Sequence, residues 1–386
     1  MKHRLTREEL LQRAAFGAAL ASIPGFAAAC GGSSSSSGSS SGTTQKLAAT
    51  LRFSNWPLYI DVDPKTKQPG TLAAFTKKTG VKVDYTEDIN SNSEYFGKIQ
   101  GPLSRGQSIN RDIIVLTDNE QYLSLMIDKG WAEPLDKDVI TNITNLVDVQ
   151  KHPGFDPDRK YTLPWQSGMT GIAYNAKLTK PILSIEQLLE DKSLKGQITV
   201  LNGFSDTLGL VMLSNGDDPS KVTDASWKAA IDRIKSASDS GHIRQFTGND
   251  YAGPLSRGDL KACVAWSGDI VQLLPDNPGL KWVVPKEGGM IWTDNMLIPK
   301  GGDAYTASVY MNYAYIPAVA AKIAAYIQYV TPVKGTQQAM SKVDKSLAGN
   351  ELIFPSDATL EKVHLIDPDA LKNQSYNEQW QAVLGA

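Results

Sequence analysis

From Leu51 onward the chain alternates short apolar runs with longer amphipathic stretches, and this alternation restricts the fold more than any other feature. "TLRFSNW" (50–56), "DIIVLT" (112–117), "QITVLN" (197–202) and "KACVAW" (261–266) read as strands, and "VKVDYTE" (81–87) shows the period-two pattern of a half-buried strand. Between them lie helical stretches. "GTLAAFTKKTG" (70–80) should end at Gly80, "NEQYLSLMIDKG" (119–130) has a Gly stop, and "DASWKAAIDRIKSASDSG" (224–241) repeats Trp227, Ala230, Ile231 and Ile234 on one face. Residues 304–330 are expected to be helical on both sides of Pro317. Strand and helix in turn argue for α/β layers, and 386 residues favour two domains over one. No internal repeat is present.

One strand is chemically odd. "MIWTDNMLIP" (290–299) should be wholly apolar, yet Asp294 sits in its middle. Side chains two apart share a face of a strand, so Trp292 and Asp294 stand side by side. A buried carboxylate without a partner is costly, so Asp294 needs a cation, either an internal Lys or Arg or a ligand.

Other acids and rings fall at similar places. Trp56 and Tyr59 follow the first strand in "NWPLY", and Trp266 and Asp269 mark the turn "AWSGD". Asp118 and Asp206 lie just beyond strand ends in "VLTDN" and "VLNGFSD". Ligands of open α/β sheets bind outside the carboxyl ends of strands, which places these loops around one crevice. Each residue alone has a plainer reading: a Trp is most often core, Asp118 and Asp206 suit helix caps, and Asp269 suits a turn after Gly268. Together they suit an alkyl amine, whose methylenes stack on rings and whose ammonium groups need carboxylates. Each charge-assisted hydrogen bond contributes roughly 1.5–3 kcal/mol, and each cation over an indole about 0.5–2 kcal/mol.

Composition restricts the partners. Net charge is −2, with no basic excess for nucleic acid. Residues 1–29 have a charged start, a short apolar run and small residues before Cys30, the layout of a secretory signal rather than a membrane span. "AAAC" resembles a bacterial lipoprotein box with Cys30 as the lipidated N-terminus, although the Leu common three residues before the Cys is absent. "GGSSSSSGSSSGTTQ" then gives a flexible tether, suited to a membrane-anchored globular body. "TREELLQRA" has a faint likeness to a twin-arginine export signal but lacks the second adjacent Arg. Cys263 alone remains in the body, so no disulfide framework forms there and Cys263 reads as a small core residue. The four His are scattered without metal spacing, and "DVDPKTKQPG" (61–70) lacks the Gly a calcium loop requires. Neither a metal nor a cofactor is expected.

The motifs together resemble the spermidine/putrescine-binding proteins, the extracytoplasmic receptors of polyamine ABC transporters. "RFSNWPLYI" is similar to the family's opening strand, "PKEGGMIWTDNMLIP" to its Pro-x-Glu-Gly…Trp-x-Asp block, "CVAWSGD" to its Trp-x-Gly-Asp turn and "YIQYVTPV" to its Tyr-x-Thr-Pro segment. "DIIVLTDN" and "YTLPWQSGMTGIAYN" fit its second strand region and its approach to the interlobe crossing. The resemblance implies a two-lobed periplasmic-binding-protein fold, type II-like, with a polyamine in the cleft and a membrane permease as partner of the closed, monomeric receptor. It implies lobes of 47–171 with 289–333, and 172–288 with 334–386. Carried over by position, Trp56, Tyr59, Trp266, Trp292 and Tyr329 match aromatic contacts, Thr117 a hydroxyl contact with Asp118 beside it, and Asp206, Asp269 and Asp294 carboxylate contacts. The chain departs from the pattern at Gly203, where some members have Asp, and at Asn119, where some have Tyr. The family's C-terminal Gln has no clear counterpart.

Three rivals are weighed. Asp206 and Asp269 suit a glycoside hydrolase, where two carboxylates flank the scissile bond, but no nucleophile elbow or P-loop appears. A receptor of the same fold could instead take a sugar, peptide, anion or iron complex; an anion would want Arg or helix N-termini where these residues are acidic, whereas a sugar receptor also uses Trp with Asp. A purely structural lipoprotein would bind no ligand at all.

Overall fold

The computed structural model describes residues 45–63 and 65–385. The expected signal segment, Cys30 and nearly all of the tether lie outside the described residues. The body is α/β, as expected, with eleven strands in one mixed sheet among the described residues. They are β1 (Thr50–Asn55), β2 (Lys82–Glu87), β3 (Ile113–Thr117), β4 (Ala132–Glu133), β5 (Thr162–Asn175), β6 (Ile198–Leu201), β7 (Ile243–Thr247), β8 (Ala262–Trp266), β9 (Leu280–Val283), β10 (Gly289–Pro299) and β11 (Val363–His364). The order is β2-β1-β3-β10-β5-β8-β6-β7, with β4 and β11 added to β10 and β9 to β5.

The helices begin and end where local chemistry directs. Helix Gly70–Thr79 closes on Gly80, whose φ of 79° lets its N–H reach back to the Thr76 carbonyl. Pro317 opens the second of two helices, Ala304–Ala314 and Pro317–Ile327, where its missing N–H costs nothing. Helix Asp224–Asp239 buries Trp227, Ala230, Ile231 and Ile234, the stripe read from the sequence.

Two long strands organise the whole. β5 and β10 pair antiparallel from Met290 opposite Thr170 to Leu297 opposite Thr162, with a bulge between Asp294 and Asn295. Their ends belong to different cores. Leu163, Trp165, Trp292 and Met296 pack with Phe53, Ile114, Tyr310 and Ile323. Ile172 and Met290 pack with Ile198, Leu208, Trp227, Cys263 and Trp380. Each strand therefore runs out of one hydrophobic core and into the other. A smaller cluster joins Met340, Val343 and Ile353 to Ala321, Ala324 and Ala325 of helix Pro317–Ile327. This is the two-lobed arrangement of periplasmic solute-binding proteins, with the cleft where the cores meet.

Candidate functional site

The site forms where strands of both cores end. β1 and β3 run parallel, as do β6 and β8. Trp56 follows β1, Thr117 ends β3, Trp266 ends β8, and Asp206 lies in the first turn of helix Phe204–Asn215, just after β6. Asp269 occupies the first turn of helix Ser267–Leu273. β10 brings Trp292 and Asp294, and its pairing puts Asp294 directly opposite Thr117 of β3. Nine of the residues named from sequence, Trp56, Tyr59, Thr117, Asp206, Trp266, Asp269, Trp292, Asp294 and Tyr329, line one cavity.

Asp118 does not line it. Its carboxylate accepts from the Thr293 backbone N–H at 2.9 Å, while its own N–H donates to the Thr293 carbonyl. Alternation along the chain explains this: with Thr117 turned toward the gap, its neighbour is turned away. Glu120, not singled out from the sequence, does line the cavity, with Asn92, Asn119, Asn202 and Asn249. The signal for Glu120 was the same rule that picked Asp118, an acid just beyond a strand end, and only the register decides between them.

The rings form a continuous wall. Trp56 meets Trp266 edge-on at 5.7 Å between centroids, Trp266 meets Trp292 at 6.1 Å, Trp292 meets Tyr329 at 5.7 Å, and Tyr329 meets Tyr59 at 5.0 Å. Glycines make room for it. A Cβ on Gly168 of β5 would stand 2.3 Å from the Trp292 ring, and one on Gly268 would stand 2.2 Å from Tyr329.

Each carboxylate is held by hydroxyl or amide donors. Thr117 Oγ1 donates to Asp294 Oδ1 at 2.7 Å. The Tyr59 hydroxyl, buried without a full hydrogen bond, faces the same carboxylate. Asp269 accepts from Asn249 Nδ2 at 2.6 Å and from the hydroxyls of Tyr251 and Tyr329, both at 2.8 Å. Thr170 Oγ1 donates to Asp206 and accepts from Trp292 Nε1 at 2.9 Å, so one hydroxyl positions both an acid and a ring. Trp266 Nε1 also points at Asp206, at 3.5 Å.

These donors do not fully replace water. Burial pushes Asp206 and Asp269 up to about 6, against the lowering effect of their hydrogen bonds. Asp294 rises to about 7, chiefly by burial, with the charges of Asp118 and Asp206 adding to the rise. Glu120 rises to about 8 through burial and the charge of Asp206, and its Oε2 is buried without a partner. Among the described residues, no Lys or Arg lines the cavity. Arg159, the cation nearest in effect, acts on Asp118 and is bound to Gln150, Thr162 and Asn295. Four acids thus share a ringed gap with no protein cation among its lining residues. No group of His, Cys, Asp or Glu suited to a metal occurs among the described residues.

The two cores also touch directly across the gap. Ser205 Oγ donates to the Asn119 carbonyl, the Asn249 N–H donates to Asn90 O at 3.0 Å, and Gln272 Nε2 donates to Leu58 O at 3.0 Å. These contacts, with the Trp56–Trp266 pair, define a closed form.

Comparison with known proteins agrees with this architecture. Residues 71–349 match a family described as bacterial extracellular solute-binding protein. A spermidine/putrescine-binding periplasmic protein of Escherichia coli is 24% identical over 335 residues, covering 86% of this chain and 90% of that one. A putrescine-binding periplasmic protein of the same organism is 28% identical over 331 residues, covering 79% of this chain and 83% of the relative. Among solved structures, a periplasmic binding protein of A. tumefaciens in complex with agropinic acid superposes with a TM-score of 0.73. It has 17% sequence identity, with 88% of this chain and all of that chain covered, and is a likeness of fold alone. No helix among the described residues is long and apolar enough to cross a membrane.

Proposed function

Because the chain belongs to the bacterial extracellular solute-binding protein family, we propose that it captures a polyamine of the putrescine or spermidine class and presents it to the permease of an ABC importer. The observation that carries this reading is the convergence of Glu120, Asp206, Asp269 and Asp294 on one ring-walled cavity whose lining, among the described residues, contains no Lys or Arg. Ammonium groups of the ligand supply the missing positive charge, and Trp56, Trp266 and Trp292 stack on its methylenes. The names of the relatives support the same ligand class.

The acids also explain why closure waits for ligand. Holding Asp294 ionised in the closed gap at neutral pH costs on the order of 4 kcal/mol, given a carboxyl raised from 3.8 to about 7. An ammonium removes that cost and bridges groups from both cores, so the ligand favours the closed form over the open one. The lobes we draw are 47–171 with 289–333, and 172–288 with the C-terminal residues, crossing at β5 and β10. The packing of Met340, Val343 and Ile353 on helix Pro317–Ile327 supports moving 336–353 into the first lobe. Lipidation at Cys30 followed by the Gly/Ser tether would keep the monomeric receptor beside its permease.

Calorimetric titration of the protein with putrescine, spermidine, spermine, agmatine and several neutral sugars tests the reading. Saturable heat is expected for at least one polyamine, with affinity falling in salt and acid. Saturable binding of a sugar, insensitive to both, overturns it in favour of a carbohydrate receptor.

A further inference from the structure

We propose that Glu120, from the first core, and Asp206, from the second, clasp one ligand ammonium between them, and that position 203 is glycine because Glu120 occupies its side-chain space. This inference rests on the polyamine reading and assigns one end of the cleft. A Cβ on Gly203 would stand 2.6 Å from Glu120 Oε1 and 3.4 Å from Asp206 Oδ2. The two carboxylate oxygens are therefore separated by no more than the sum of those distances. They approach from opposite sides of the gap, Glu120 from the position before helix Gln121–Asp128 and Asp206 from the first turn of helix Phe204–Asn215.

Gly203 itself does not need to be glycine for its backbone. Its φ of −74° and ψ of 120° suit any residue, so the constraint is the neighbouring carboxylate. Glu120 Oε2 is buried without a partner inside a cavity that five aromatic side chains and three other acids line. Asn92 is the one neutral donor bearing on Glu120, and the titratable groups facing it are Asp206 and Tyr122. Two acids at this spacing repel one another, and a single ammonium between them is shared by both. The same geometry makes the contact a closing one, since neither core holds both carboxylates.

Titration of three proteins with putrescine decides the matter: the wild type, Glu120→Gln, and the double variant Glu120→Ala/Gly203→Asp. Glu120→Gln keeps the shape and removes the charge, and roughly a ten- to hundredfold loss of affinity is expected. The double variant moves the carboxylate from one core to the other at nearly the same point, and recovery of most of that loss is expected. A role for Glu120 in folding alone would not be rescued by an acid at 203. Wild-type binding with Glu120→Gln unaffected, or a loss that Gly203→Asp fails to restore, overturns this inference and leaves the polyamine reading standing. Absence of wild-type binding to putrescine, spermidine, spermine and agmatine alike overturns both.

Discussion

At the residue scale, Asp294 is the clearest case of a side chain whose position makes sense only through a partner. It is 3% exposed in a strand that is otherwise buried, with Thr117 donating to it, the Tyr59 hydroxyl facing it and, among the described residues, no cation in the cavity lining. Replacing it with Asn keeps the shape and an acceptor for Thr117 while removing the charge. Asp294→Asn is expected to bind polyamine roughly ten- to hundredfold more weakly, with unliganded melting temperature unchanged or raised, because a costly buried charge has gone. Intact affinity by calorimetry would rule out the pairing. This residue was legible in the sequence because an acid among apolar neighbours needs a reason. Glu120 was not, because in "TDNEQY" it shares with Asp118 a place just beyond a strand end, and only the register tells which of the two faces the gap.

At the element scale, β5 and β10 carry the site and join the two cores. β10 announced itself through its apolar run. β5 is buried along all 14 of its residues, yet it mixes Thr, Pro, Gln, Ser, Gly and Asn with its apolar side chains, so neither period two nor a continuous apolar run reveals it. Only the family resemblance pointed to it. The amphipathic helices were easier, since one wetted face leaves a period in the sequence, as in Asp224–Asp239. Gly168 shows how closely β5 and β10 side chains are fitted, its missing Cβ leaving space for the Trp292 and Tyr329 rings. Gly168→Ala should displace those rings, lowering stability by about 1–3 kcal/mol and weakening amine binding in the same protein. A melting temperature and an affinity both equal to wild type would show that the ring wall is not built on this glycine.

At the scale of the whole molecule, the two cores close over acids that resist closure when ionised. The closed-form carboxyls of Asp206 and Asp269 lie at about 6, Asp294 at about 7 and Glu120 at about 8, all raised above their ordinary values, with burial the largest cause. A group with a raised value in one state favours that state at low pH and loses the effect as pH rises through the raised value. Protonation between pH 8 and 5 therefore favours the closed form without ligand, while the same acid weakens amine binding by removing the charges the ammonium needs. On the polyamine reading proposed above, ammonium and proton are alternative ways of neutralising one cavity. Small-angle X-ray scattering tests this most directly, by measuring the radius of gyration at pH 8 with and without saturating putrescine, and at pH 5 without it. The unliganded protein at pH 8 is expected to be the most extended of the three, with compaction by either putrescine or acid. One unchanging radius, or expansion on adding the amine, would contradict it.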